Sequence, residues 1–486
     1  MSTSSAPKIP QTPSSGAPSN SALSRGALLI GALLAGALTP QSARAAEWTD
    51  VIDAADGDDP FDITAEVFYR RHLRRAKITR EYNCDRLTRP EDQSTCASAP
   101  EGGQVVNVKE LRYQRWTHEM VPRLHVGLWK DLELLLEAPI VMQDQQEVRY
   151  AGNGGDSSSP IITAANSSIA PDSGQQLFGV PPSGLPTRAG FGDMLFKLRF
   201  APVSNERDSS RGEWVVEAGY RAPTGTPMKF GNVGVGRGVH ELELATSFSR
   251  RYRYIEPYSS FTVNIPFASS AKSPFQQYVG SQEYVTPGLR ARFDFGAEMI
   301  PYYNQRTGMK FFINLGLGAA YQGEGRDYSE LFDALAIGGN ACAANPNDIT
   351  GNRDAKNNCA FYNPEARFGN PSPQAPRAFD GITTVEQFVT VRGNIGFGFY
   401  VSKYVKFGAN AALAHETEHN LTNSEIGRDI YRSTPAEVGV LTPATTVDQA
   451  SEHNPTFTPS IDTIGRRIRI EETTVFSASF NLAVMF

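Results

Sequence analysis

The chain has 486 residues, a formal net charge of −6 and 40% hydrophobic residues, with a mean hydropathy of −0.35. Only one stretch approaches the run of about eighteen apolar residues that a membrane-crossing helix needs, so a helical membrane protein is excluded. The acidic balance argues against nucleic acid as a partner.

That one apolar run opens the chain. Residues 1–26 are rich in Ser and Pro with Lys8 and Arg25 among them, Ala27–Leu38 is apolar, and Ala43-Arg44-Ala45 follows. Charged flank, short apolar core and A-x-A site predict a secretory leader over 1–45, cleaved after Ala45. The run is short for a membrane anchor, the alternative. Residues 46–60 are expected to form a short periplasmic segment, and 61–486 a single β-domain.

From residue 61 the dominant pattern is strict alternation, the period of a strand with two unlike faces. Ile63, Ala65, Val67 and Tyr69 alternate with Thr64, Glu66, Phe68 and Arg70; Leu132, Leu134 and Leu136 with Glu133 and Glu137. Phe196, Leu198 and Phe200 alternate with Lys197 and Arg199, then Trp214, Val216, Ala218 and Tyr220 with Glu217 and Arg221. Leu242 to Phe248 and Phe261 to Phe267 continue the plan. Leu289 to Met299 faces Arg290, Arg292, Asp294 and Glu298; Phe311 to Ala319 faces Asn314, Gly316 and Gly318; Val389 to Phe399 faces Arg392; Val405 to Leu413 faces Lys406 and Asn410. The last strand places Phe476, Ala478, Phe480, Leu482, Val484 and Phe486 on one side and Ser477, Ser479 and Asn481 on the other.

About twelve strands with alternating short and long connections predict an all-β, antiparallel up-and-down transmembrane barrel with long external loops. Its polar face would line a lumen with Glu66, Arg70, Glu133, Glu137, Lys197, Arg199, Arg221, Arg290, Arg292, Asp294, Glu298, Glu386 and Arg392. Arg290, Arg292 and Arg392 form a cationic cluster that Glu298 and Glu386 are placed to pair. Trp129, Trp214, Tyr252, Tyr254, Tyr303, Tyr400, Tyr404 and Phe486 lie beside the short turns, as an interfacial aromatic girdle would.

The four cysteines fall as two close pairs in turn-rich segments. Cys84–Cys96 and Cys342–Cys359 are the pairings with the shortest loops, among three combinations, and an oxidising compartment permits them. No cofactor or metal is expected. His415-Glu-Thr-Glu-His419 matches a zinc-protease motif by letter, but on a strand its imidazoles stand about 13 Å apart. Gly231 to Gly238 is glycine-rich without the strand and helix a phosphate loop needs.

The closing strand, with its terminal Phe486, resembles that of bacterial outer-membrane β-barrels. The resemblance implies that Phe480, Leu482, Val484 and Phe486 form the signal read by the barrel-assembly machinery, and that outer-membrane lipid and lipopolysaccharide surround the molecule. Gly190-Phe-Gly-Asp193 and Tyr220-Arg-Ala-Pro-Thr-Gly225 are similar to segments of the outer-membrane proteins of phenol meta-cleavage pathways, which implies a passive channel for small solutes. A barrel that binds or scaffolds through its external loops is the second reading. An outer-membrane enzyme is the third: lipases of this architecture use an Asn/His/Ser set, and neither His118 nor His125 has a Ser in such a motif.

Overall fold

In a computed structural model the described residues are 49–51, 62–83, 105–151, 185–204, 211–229, 231–268, 274–275, 282–304, 306–336, 381–427, 454, 456–458 and 461–486. The leader and all four cysteines lie outside them, and so do the pairings expected of those cysteines.

The strands are β1 (Ile63–Asn83), β2 (Val105–Trp129), β3 (Leu132–Glu137), β4 (Ile140–Tyr150), β5 (Arg188–Phe191), β6 (Met194–Val203), β7 (Glu213–Ala222), β8 (His240–Ser249) and β9 (Ile255–Phe267). After them come β10 (Arg290–Asn304), β11 (Met309–Gln322), β12 (Gly325–Asp327), β13 (Thr383–Val385), β14 (Phe388–Tyr400), β15 (Val405–Glu416), β16 (His419–Asn420) and β17 (Ile468–Met485). Each wall strand pairs antiparallel with its sequence neighbour, and β1 pairs with both β2 and β17. The result is a closed antiparallel barrel of twelve strands. β3 and β4 are one wall strand broken at Pro139, which has no N–H to give; its carbonyl instead accepts the N–H of Gly192 at 2.8 Å.

The connections differ at the two ends. At one end they are tight: Asp131 (φ 53°) turns β2 into β3, Arg253 (φ 52°) turns β8 into β9, and Gly308 (φ 70°) turns β10 into β11. Both termini of the wall lie there, with the Phe486 N–H donating to the Ile63 carbonyl at 2.9 Å. At the other end β1 and β2 run on for 21 and 25 residues.

The outer surface of the wall is apolar and exposed: Leu198, Phe248, Phe293, Leu317, Phe397, Phe407 and Phe480 all point away from the bore. On β15 the apolar run from Val405 to Leu413 spans about 20 Å once strand tilt is allowed for, close to the ~25 Å belt a bilayer accepts. No Lys or Arg of β6 to β15 points outward. Arg71, on β1, does, so the outer face is not wholly free of charge as the alternation implied. Trp129, Trp214, Tyr252, Tyr404 and Phe486 are exposed at the tight-turn end, and Arg250, Arg253 and Lys403 lie over the rings of Tyr252, Tyr254 and Tyr404. Tyr400 departs from the expected girdle. It is 5% exposed and packs inside the barrel with Ile300 and Phe312, with Tyr303 and Met485 against that cluster. The reason is parity: it ends β14 in register with Lys310 and Lys406, both inward-facing.

Candidate functional site: the charged bore

The polar side of each wall strand meets the others inside the barrel, where a cavity of about 790 Å3 runs past them. Its two sides differ. β11, β14, β15 and β17 present small or neutral groups, among them Asn394, Gly396, Gly408, Asn410, Ala412, Ser477 and Ser479. Opposite, β1 to β8 carry a ladder of ion pairs. Arg392 and Lys406 are the charged exceptions on the first side, whose other groups at mid-wall are mostly too small to fill the space.

The ladder begins near the tight turns. His125 Nδ1 lies 2.6 Å from Glu133, with Glu66 on its other nitrogen at 3.7 Å. Arg199 joins Glu133 (3.1 Å) to Glu217 (2.9 Å), and Lys197 joins Glu217 (2.9 Å) to Glu243 (2.5 Å). Higher up, Arg123 pairs with Glu137 at 2.7 Å, Arg221 stands between Glu137 and Glu241, and Arg70 reaches Glu119 at 3.3 Å. In a region of low dielectric each carboxylate needs such a partner, because an unpaired buried charge is far costlier than a paired one.

Every expected lumen residue from Glu66 to Arg221 is therefore on the inner face. The later ones also face in but take other partners than the alternation suggested. Asp294, not Glu298, holds Arg292 (2.6 Å) and Arg392 (2.5 Å). Arg290 stands apart on Glu241 at 2.5 Å, close to Arg237. Glu298 is fully buried, with Lys310 at 3.8 Å. Glu386 lies just before β14 and accepts the backbone N–H of Asn420. Gly318 makes Asp294's position possible, since a Cβ there would overlap its carboxylate.

Two features of the bore had no clear signal in the sequence. At the tight-turn end, within the segment expected to be periplasmic, Thr49 is fully buried with its hydroxyl 2.7 Å from that of Ser249. Arg199 donates to the Asp50 carbonyl at 2.9 Å, and Asp50 and Val51 line the cavity. At the opposite end, one helical turn over 332–336 sits in an apolar core. Leu331, Ala334 and Leu335 pack there with Ala76 and Ile78 of β1, Leu111 and Tyr113 of β2, Val148 of β4 and Ile468 and Ile470 of β17. A buried pair anchors it: Arg188 Nη2 meets Asp333 at 2.5 Å, and both side chains are fully buried. Arg74 ties Glu330 and Glu416 together beneath, each at 2.6 Å. The described residues 331–336 of this connection thus pack inside the outer end of the barrel.

The short motifs resolve into structure. Asp193 accepts the N–H groups of Gly225 (3.0 Å) and Arg237 (2.8 Å), and Thr224 donates to the Gly192 carbonyl, so segments 190–193 and 220–225 form one clasp at the rim. The glycine-rich loop turns its carbonyls inward: Lys229, Asn232 and Gly234 accept from Arg188 at 2.9–3.2 Å. Such a loop holds a cation, whereas a phosphate loop presents N–H groups. His415 points outward and is exposed, while Glu416 and His419 are buried; His419 stacks on Phe388 with centroids 4.0 Å apart. The strand thus sends the two imidazoles of the H-E-x-x-H segment to opposite sides. His118 faces out and bonds the Tyr69 hydroxyl at 2.7 Å.

No protein-family model matches the chain, and no curated protein matches it. Among solved structures it is similar to an outer-membrane channel from Pseudomonas putida F1, with 11% identity, 87% of this chain and 95% of that one covered, and a TM-score of 0.34. It is also similar to the TodX monoaromatic hydrocarbon channel (7% identity, 91% and 93% covered, TM-score 0.32). The outer-membrane protease OmpT from Escherichia coli compares at 7% identity, 87% and 97% covered, with a TM-score of 0.28.

Proposed function

We propose that the chain is a bacterial outer-membrane β-barrel acting as a passive channel for small polar solutes. The observation that carries this reading is the cavity itself: a polar, ion-pair-lined space at the level of the apolar outer belt, left open by the small residues of β11 to β17. A conduit for hydrocarbons calls for an apolar lining, and this one is the reverse. Along the cavity, Arg70, Arg123, Lys197, Arg199, Arg221, Arg292, Arg392 and Lys406 outnumber Asp50, Asp62, Glu66, Glu137, Glu217 and Glu243, which favours anions over cations.

The turn 331–336, anchored inside the outer end by Arg188 and Asp333, favours the second reading, a barrel that works through its external loops without transport. Planar-bilayer recording of the purified protein separates the two, with Asp333→Asn alongside to loosen the anchored turn. The channel reading expects discrete conductance steps, more frequent in the variant. A folded barrel that stays electrically silent in both forms supports the scaffold instead.

A further inference from the structure

The outward-facing cations of the wall strands are confined to one sector. The Lys and Arg residues of wall strands β6 to β11, β14 and β15 point into the bore, while β1 and β2 carry Arg71, Arg75, Lys77, Lys109 and Arg112 around their outer rim. The register gathers them: Arg71 lies opposite His118, Arg75 opposite Gln114, Lys77 opposite Arg112 and Thr79 opposite Lys109. Arg71, Arg75 and Arg112 are exposed. Among the described residues, the acids beside the group are Glu472 of β17, which pairs with Lys77, Glu471 in register with Lys77, and Glu147 of β4 in register with Gln114, fewer than the cations they face. At the edges of the group the outward cations have acids of their own: Arg149, opposite Arg112, pairs with Glu147, and Arg469 lies between Glu418 and Glu471.

The same face is apolar and aromatic between and below these cations, with Leu73 opposite Trp116 between Arg71 and Arg75, and Tyr69 opposite Met120 below Arg71. Cations set at and above the edge of such an apolar face match an amphiphile with anionic groups at its head and acyl chains beneath. Like charges held this close on two paired strands repel, so the sector gains most from a polyanionic head that spans several of them.

We infer that the β1–β2 rim is a headgroup site for a multiply phosphorylated glycolipid of the outer leaflet, lipopolysaccharide being the form that chemistry takes there. Arg71 and Arg75 contact one phosphate-bearing region, Arg112 and Lys109 another, and the acyl chains lie on Leu73, Trp116 and Tyr69. The site rests on the outer-membrane reading for its biological setting, but binding in detergent is measured independently of it.

The test uses the full barrel purified in detergent and native mass spectrometry with bisphosphorylated lipid A. Dephosphorylated lipid A, phosphatidylethanolamine and inorganic phosphate serve as comparison probes. Wild type is expected to retain bisphosphorylated lipid A at least about tenfold better than the Arg71→Gln/Arg75→Gln/Arg112→Gln variant, with retention falling as salt rises. Loss of this preference for dephosphorylated lipid A confirms phosphate recognition. Equal retention by variant and wild type, or by phosphorylated and dephosphorylated lipid, overturns the site. Retention of inorganic phosphate to the same degree makes it a phosphate site and overturns the lipid assignment. These substitutions are on exposed positions, and unchanged heat-modifiable mobility on a gel certifies that the variant is folded. Cell fractionation separately checks the outer-membrane reading.

Discussion

Arg292 and Arg392 stand on β10 and β14, with β11 between them, and Asp294 takes one on each carboxylate oxygen. Period-two alternation put all three on the inner face, and that much was readable. Their pairing was not, because it depends on a contact across an intervening strand and on the missing side chain of Gly318. Arg290 is two residues from Arg292 but belongs to the Glu241 group and does not line the cavity. Reversal potential under a salt gradient is therefore expected to move toward cations for Arg292→Gln/Arg392→Gln and to stay unchanged for Arg290→Gln. Asp462 gives a second prediction at this scale. Buried in the last external connection, it accepts the N–H groups of Ser424 and Thr458, and burial pushes its carboxyl up to about 7. A carboxyl raised in the folded state binds more protons there than when unfolded. Stability of that connection thus falls as pH rises from the ordinary Asp range toward 7, and levels off above. Protection of the Ser424 and Thr458 amides, taken against their intrinsic exchange rates at each pH, should fall over that interval in wild type and stay level in Asp462→Asn.

At the scale of elements, the wall strands were legible because one face had to be apolar and the other polar. Their irregularities were not. Glu472, at φ 50°, inserts an extra residue in β17 opposite β1 and flips the parity, so Ile468 and Ile470 point inward above it while Ser477 and Ser479 do so below. Nor did alternation reveal the turn at 332–336, since a single helical turn has no periodicity of its own and gains its place from the apolar core around it. Removing Asp333 leaves Arg188 buried beside carbonyls alone, a loss of about 3–5 kcal/mol for a broken buried pair. Asp333→Ala is expected to expose residues 331–336 to hydrogen exchange while the wall strands keep their protection. In the wall, Gly398 lies under the Phe312 ring, where any Cβ would overlap it. Gly398→Ala should lower barrel stability by about 1–3 kcal/mol in denaturant titration, the range for overpacking. Phe486 illustrates the opposite case: its ring is 67% exposed and packs on little. Its deletion should reduce the folded outer-membrane fraction in cells far more than it shifts the unfolding midpoint of protein that has already folded.

For the whole molecule, almost every strand pairing joins neighbours in sequence, and one does not. β1 meets β17 along a register that runs from Thr64 with Met485 to Arg80 with Ile468. The hairpins form from local contacts, but this seam closes a loop of some four hundred residues and must wait until the rest of the wall exists. Before it forms, the sheet has two long free edges with apolar faces; afterwards it has none. The hazard of edge-to-edge association therefore belongs to a moment in the molecule's history, not to its finished state. A chain stalled just short of joining its own two ends would be the aggregating species, and anything that shortens that interval protects the protein without making the completed ring any more stable.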